Sequence, residues 1–222
     1  MNEVVLSLTA YREGSLVLRA LESVGPTVDR VVLSNCRFAY VKDNLAAADD
    51  TVHFVFGWCH RYGIPLRVDR QPGYEHEVRT RALGMVGKGN YCFVLDADEV
   101  VTGRPDLAFD KVRKTQHDIY RIGTEGWNDV YHSYESQLMA RVFRVSNDLH
   151  YHGDHWTLYD GDRLFLSGMR TVGQGYTYLS MPEIRIVNDP ARRDSDAQRF
   201  RLERYELLRS VGWDELKLPK VQ

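Results

Sequence analysis

Tyr91-Cys92-Phe93-Val94-Leu95-Asp96-Ala97-Asp98-Glu99 sets five apolar or aromatic residues directly against a stretch with three carboxylates. A run of five, preceded by Gly87-Lys88-Gly89-Asn90, has the length of a strand buried on both faces rather than of a helix. Upstream of it, Glu75 to Val86 reads as a helix that the glycines at 87 and 89 stop, and Ile64 to Val68 as a strand. Leu45 to Arg61 reads as another helix, with Val52, Val55, Phe56, Cys59 and Tyr62 on one stripe and Gly63 ending it. Arg30 to Ser34 is a strand, Leu16 to Val24 a helix that Ser15 can cap and Gly25-Pro26 ends, and Val4 to Leu8 the opening strand. Strand–helix units in series predict an α/β fold with a parallel sheet, covered on both faces and joined by right-handed crossovers. Such sheets bind ligands outside the carboxyl ends of their strands. Asp96 and Asp98 fall at one of those ends.

After Asp106 the texture changes. Ile119 to Gly123 and Leu138 to Val145 read as strands around a polar aromatic stretch, Leu164 to Leu166 and Glu183 to Val187 as weaker strands, and 194–210 as an amphipathic helix. No repeat or linker interrupts the 222 residues, so a single domain is expected over 1–222. Within it, 1–105 would bind the ligand and 106–222 would face the acceptor.

A hydrophobic content of 43% with a net charge of −2 fits a globular protein without general attraction to nucleic acid or anionic membrane. Seven arginines between 185 and 209, interleaved with acids, read as a solvated helix face or as a contact to phosphates. Cys36, Cys59 and Cys92 are odd in number and form no CxxC pair, so they are expected as buried small hydrophobes. No apolar run approaches the roughly 20 residues that span a bilayer. A cytoplasmic location and no membrane span are the expectation.

Two aspartates one residue apart at a strand end can turn toward one ion. Hard divalent cations such as Mn²⁺ or Mg²⁺ take carboxylate oxygens, and a diphosphate supplies further oxygen ligands. The same tripeptide also suits a strand-end aspartate capping a turn.

The wider pattern resembles glycosyltransferase family 2. It is carried by Leu6-Ser7-Leu8-Thr9-Ala10-Tyr11-Arg12-Glu13, Leu21-Glu22-Ser23-Val24, Val28-Asp29-Arg30-Val31-Val32-Leu33, Arg79-Thr80-Arg81-Ala82-Leu83 and Leu95-Asp96-Ala97-Asp98-Glu99, with Arg141-Val142-Phe143-Arg144 as a later fragment. The resemblance implies a GT-A fold, with a mostly parallel central sheet flanked by helices, and a hexosyltransferase-like activity. It also implies a nucleotide-sugar donor, UDP-linked, used with inversion. Donor contacts are implied for Thr9, Tyr11, Glu13, Asn35, Arg81, Asp96, Ala97 and Asp98, with Glu13 and Asn35 lining the base and ribose pocket. Asp96 and Asp98 are the implied metal ligands.

The chain departs from the family twice. Ser34-Asn35-Cys36-Arg37-Phe38 stands where an Asp-rich segment follows the second strand, and Trp156 stands where a glutamate is expected. In His150-Tyr151-His152-Gly153-Asp154-His155-Trp156, His155 is the candidate third metal ligand, while His150 and His152 suit hydrogen bonding. Asp154 and Glu125 are the candidate bases for an acceptor hydroxyl, each with a plain loop carboxylate as its alternative. Trp127 and Trp156 suit either sugar stacking or core packing. The acceptor is open: glycan, protein, lipid-linked sugar or modified nucleic acid. The competing functions are a non-catalytic nucleotide-sugar-binding module, a nucleotidyltransferase, which would need a glycine-rich basic loop absent from Thr9 to Ser15, and a phosphatase-like enzyme, whose aspartate pair would follow the first strand.

Overall fold

The computed structural model describes residues 2–10, 13–36, 50–128, 133–153, 156–188, 206, 209 and 210. The strands are β1 (Val4–Thr9), β2 (Arg30–Ser34), β3 (Leu66–Asp69), β4 (Tyr91–Asp96), β5 (Glu99–Gly103), β6 (Ile119–Asn128), β7 (Ser133–Arg144), β8 (Leu149–Tyr151), β9 (Leu158–Asp160), β10 (Arg163–Ser167), β11 (Thr171–Val172) and β12 (Tyr178–Asn188). The helices are α1 (Val17–Val24), α2 (Thr51–Tyr62), α3 (Glu75–Val86) and α4 (Pro105–Thr115).

Eight strands form one sheet in the order β3-β2-β1-β4-β7-β6-β12-β5. β3, β2, β1 and β4 are mutually parallel, and β12 is parallel to β6. β7 runs antiparallel to both β4 and β6, and β5 antiparallel to β12. This is an α/β fold with a mostly parallel central sheet. Successive residues of β1 and β4 face opposite sides, and both sides are dry. Val4, Leu6, Leu8, Tyr91, Phe93 and Leu95 pack with α1, α2 and α4, while Val5, Cys92 and Val94 pack with α3 and a small sheet of order β11-β10-β9-β8.

Several local expectations change. Phe56 and Tyr62 are exposed on α2, and Trp58 joins the expected Val55 and Cys59 in the core instead. The described part of that helix begins at Thr51, so 45–49 lie outside the described residues, as does most of the predicted helix over 194–210. Ser15 does not cap α1. It lies within a 3-10 turn, Gly14–Leu16, and Thr51 Oγ1 accepts the N–H groups of Glu13 and Gly14 instead, at 2.9 and 3.0 Å. β5 and α4 were not foreseen. β5 fits against β12 because Gly103 has φ +99°, and a Cβ there would run into the Glu183 carbonyl oxygen. Among the described residues no helix is long and apolar enough to cross a membrane.

The three cysteines are free and buried, as expected. Burial pushes the Cys36 and Cys92 thiols up to about 12 and Cys59 up to about 11. Unfolded thiols ionise near about 8.5, so the folded chain holds these protons more tightly. That stabilising contribution is complete below the unfolded value and is lost as pH rises toward the folded values. Urea midpoints are therefore expected to fall steadily between about pH 8.5 and 11. A flat midpoint across that range would contradict the burial of the thiols.

Candidate functional site

The site begins with where the parallel strands stop. Thr9 is in register with Ser34 on one side and Asp96 on the other, and Ser34 with Asp69. One residue further on, three backbone bonds continue the ladder: Asn35 N–H to Asp69 O at 2.9 Å, Ala10 N–H to Ser34 O at 3.1 Å, and Ala97 N–H to Thr9 O at 3.2 Å. Asn35, Thr9, Ala10, Asp96 and Ala97 therefore stand in one row along the carboxyl edge. The chain leaves β1 for β2 and β3 on one side and returns as β4 on the other. The gap between β1 and β4 is thus a topological switch point, where the two connections diverge and leave a crevice.

Asn35 is buried, and its Nδ2 donates to the Ala10 carbonyl at 3.0 Å, fixing the first residues beyond β1. Glu13 is half-buried and opens the 3-10 turn that Thr51 anchors. Tyr11 lies outside the described residues.

Two arginines of α3 reach different carboxylates. Arg79 Nη2 donates to Asp96 Oδ1 at 2.8 Å and to Glu75 Oε1 at 3.0 Å, with all but 7% of its side chain covered. Burial pulls its pKa down, but Asp96 and Glu75 more than offset this and leave it well above the ordinary arginine value. Arg81, the arginine that the sequence singled out, donates through Nε to Asp69 Oδ2 at 2.8 Å and through Nη2 to the Gln71 carbonyl. It lines a cleft of about 460 Å³ with Gln71, Glu77, Thr80 and His150. Residues two apart on a helix point to opposite sides, so spacing alone did not say which arginine meets Asp96.

The turn after β4 is held by a residue that sequence reasoning missed. The Asp96 N–H donates to Glu99 Oε2 at 2.9 Å, and Arg141 Nη2 of β7 donates to Glu99 Oε1 at 2.5 Å. Burial pushes the Glu99 pKa up against the opposing pull of Arg141. Ala97 and Asp98 are buried in the same turn. Glu75 and Asp96 thus share Arg79, Glu99 is paired with Arg141, and Asp98 is buried in the turn between Asp96 and Glu99. Among the described residues no three His, Cys, Asp or Glu side chains are grouped to hold an ion by themselves.

The second half contributes less directly. Glu125 Oε1, on β6, accepts from Arg185 Nη1 at 2.5 Å. Asp154, His155 and the side chain of Trp127 lie outside the described residues. His150 stacks on Tyr159, and its Nδ1 lies 2.9 Å from the Asp148 carbonyl, while His152 is exposed. Trp156 packs against the core beneath α3 and the small sheet, which is its core-packing reading. A groove of about 770 Å³ between α2 and β3 lies apart from the carboxylates.

No family model and no curated protein matches the chain. Among solved structures it is similar to S. aureus TarS 1–349, at 18% identity and a TM-score of 0.43, with 58% of this chain and 37% of that one covered. It is also similar to HddC from Yersinia pseudotuberculosis, at 10% identity and a TM-score of 0.39, covering 88% of this chain and 99% of that one. The chain thus spans little more than a third of the TarS structure, and at these scores neither likeness adds an argument to the geometry above.

Proposed function

We propose that the chain is a metal-dependent glycosyltransferase of GT-A type, which moves a sugar from a nucleotide-sugar, UDP-linked, to an acceptor hydroxyl with inversion. The observation that carries this reading is the row of Thr9, Asn35 and Asp96 at a switch point, with Asp98 in the adjoining turn. A crevice of that kind takes a nucleotide along the strand ends.

The residues fit a Mn²⁺ or Mg²⁺ ion. The donor set is hard oxygen, three acids fall within the four residues 96–99, and such ions commonly use one or two carboxylates together with substrate phosphates. Asp98 and Asp96 would hold the ion, with His155 as a third ligand by family resemblance. A bound divalent ion neutralises charge developing on a leaving diphosphate. Glu13 and Asn35 would orient the base and ribose. Glu125 is already paired with Arg185, so Asp154 is the first choice for taking the acceptor proton.

The test is a thermal-shift screen of nucleoside diphosphates and nucleotide-sugars with and without Mn²⁺, since specific binding stabilises by mass action. Product analysis follows on whichever donor binds. Release of a nucleoside diphosphate supports the reading; release of pyrophosphate, or metal-independent binding alone, refutes it. Asp154→Asn is then expected to lower turnover by roughly 10²–10⁴, the usual span for loss of a general base, with donor affinity retained. Wild-type turnover in that variant would pass the role to Glu125 or another group.

A further inference from the structure

We propose that Glu99 and Arg141 are positioning residues for the aspartate turn, so that β7 of the second half sets the shape of the donor loop. This inference rests on the metal-binding reading of Asp96 and Asp98 given above.

Glu99 is the first residue of β5, and its side chain folds back over the turn that precedes it. One carboxylate oxygen takes the Asp96 N–H at 2.9 Å, and the other takes Arg141 Nη2 at 2.5 Å. Only 7% of the Glu99 side chain and 4% of the Arg141 side chain are exposed. Asp96 is thereby fixed at two points, its N–H by Glu99 and its Oδ1 by Arg79. Ala97 and Asp98 are the two residues left between these anchors, so few backbone paths connect them. Neither Glu99 nor Arg141 needs to touch a ligand for this to hold.

A carboxylate is a poor choice here on stability grounds alone. It is the third acid in four residues, its burial is costly, and replacing a buried ion pair with apolar side chains of similar size is often neutral or stabilising. What the pair supplies is direction, because charge-assisted bonds to a backbone N–H and a guanidinium are short and geometrically demanding. Partners that hold metal ligands in place in this way typically govern affinity without coordinating.

The experiment compares the full-length wild type with Glu99→Gln and with Glu99→Met combined with Arg141→Met. Mn²⁺-dependent binding is measured by calorimetry, using whichever of UDP, dTDP, CDP, GDP or ADP the wild type binds, and thermal midpoints are recorded alongside. The double variant removes the ion pair without leaving a lone buried charge, so its midpoint is expected to stay near the wild-type value. Its Mn²⁺ affinity is expected to fall by about 10- to 100-fold, and Glu99→Gln should lose affinity in the same direction. A folded double variant that binds Mn²⁺ and nucleotide as tightly as wild type overturns the proposal, because the pair is then merely structural. If the double variant does not fold, undiminished binding in Glu99→Gln overturns it instead. Failure of the wild type to bind any of the five with Mn²⁺ removes the functional reading itself, and this inference with it.

Discussion

Asp98→Asn is expected to abolish Mn²⁺-dependent donor binding while the apo chain keeps its thermal midpoint. The substitution preserves shape and one oxygen acceptor but removes a negative charge from the turn beside the ends of β1 and β4. In the ligand-free chain Asp96, Asp98 and Glu99 place three acids within four residues. Like charges this close disfavour one another's ionised form, so the isosteric amide is expected to leave the apo midpoint near the wild-type value. With an ion present the sign reverses, because a hard cation draws its affinity from the number of charged oxygens offered to it. Calorimetry with and without EDTA gives a direct comparison. Equal nucleotide-sugar affinity for wild type and variant, or for wild type in excess EDTA, sinks the metal assignment.

Arg79→Ala is expected to give the largest loss of stability. The guanidinium bonds both Asp96 and Glu75, and Glu75 is only 1% exposed, so its removal takes a charge-assisted bond from a buried carboxylate. Breaking a buried pair from one side costs about 3–5 kcal/mol. For a chain of this size a kcal/mol moves the thermal midpoint by roughly 2–4 °C, which makes the expected drop about 6–20 °C. Replacing Glu75 and Arg79 together with methionine should recover much of that loss. A fall of less than about 1 kcal/mol in Arg79→Ala would place the pair in the range of screened surface bridges and count against its burial.

The elements that sequence patterning located well share a physical property. β1, β2, β4 and α3 are either buried on both faces or sharply capped, so their apolar residues are contiguous and their ends are marked by glycine or charge. β5 was missed because its partner is β12, some eighty residues later, and nothing local in Val100-Val101-Thr102 announces that pairing. Its neighbour α4 starts at Pro105, a proline at the first helical position, just where the texture was read as becoming irregular. Strands of two or three residues, such as β8, β9 and β11, are too short to show a period at all. On α2 the apolar stripe was right at Val55 and Cys59 but took exposed Phe56 in place of buried Trp58. The aspartate pair was legible because it ends a strand. Its attendants were not: Arg79, Glu99 and Arg141 come from three elements, and only the folded chain brings them together.

The short connection between β4 and β5 has a geometric consequence. In the sheet order these strands stand four positions apart, which in a flat sheet would separate them by about 19 Å. From Asp96 to Glu99 the chain can span at most about 11 Å. The sheet therefore has to curl until its rim returns to its centre, and Arg141 on β7 meets Glu99 across that curl. Chain length belongs to the site as much as chemistry does. A single residue inserted between Asp96 and Glu99 would let the rim drift from the centre even with every charge retained.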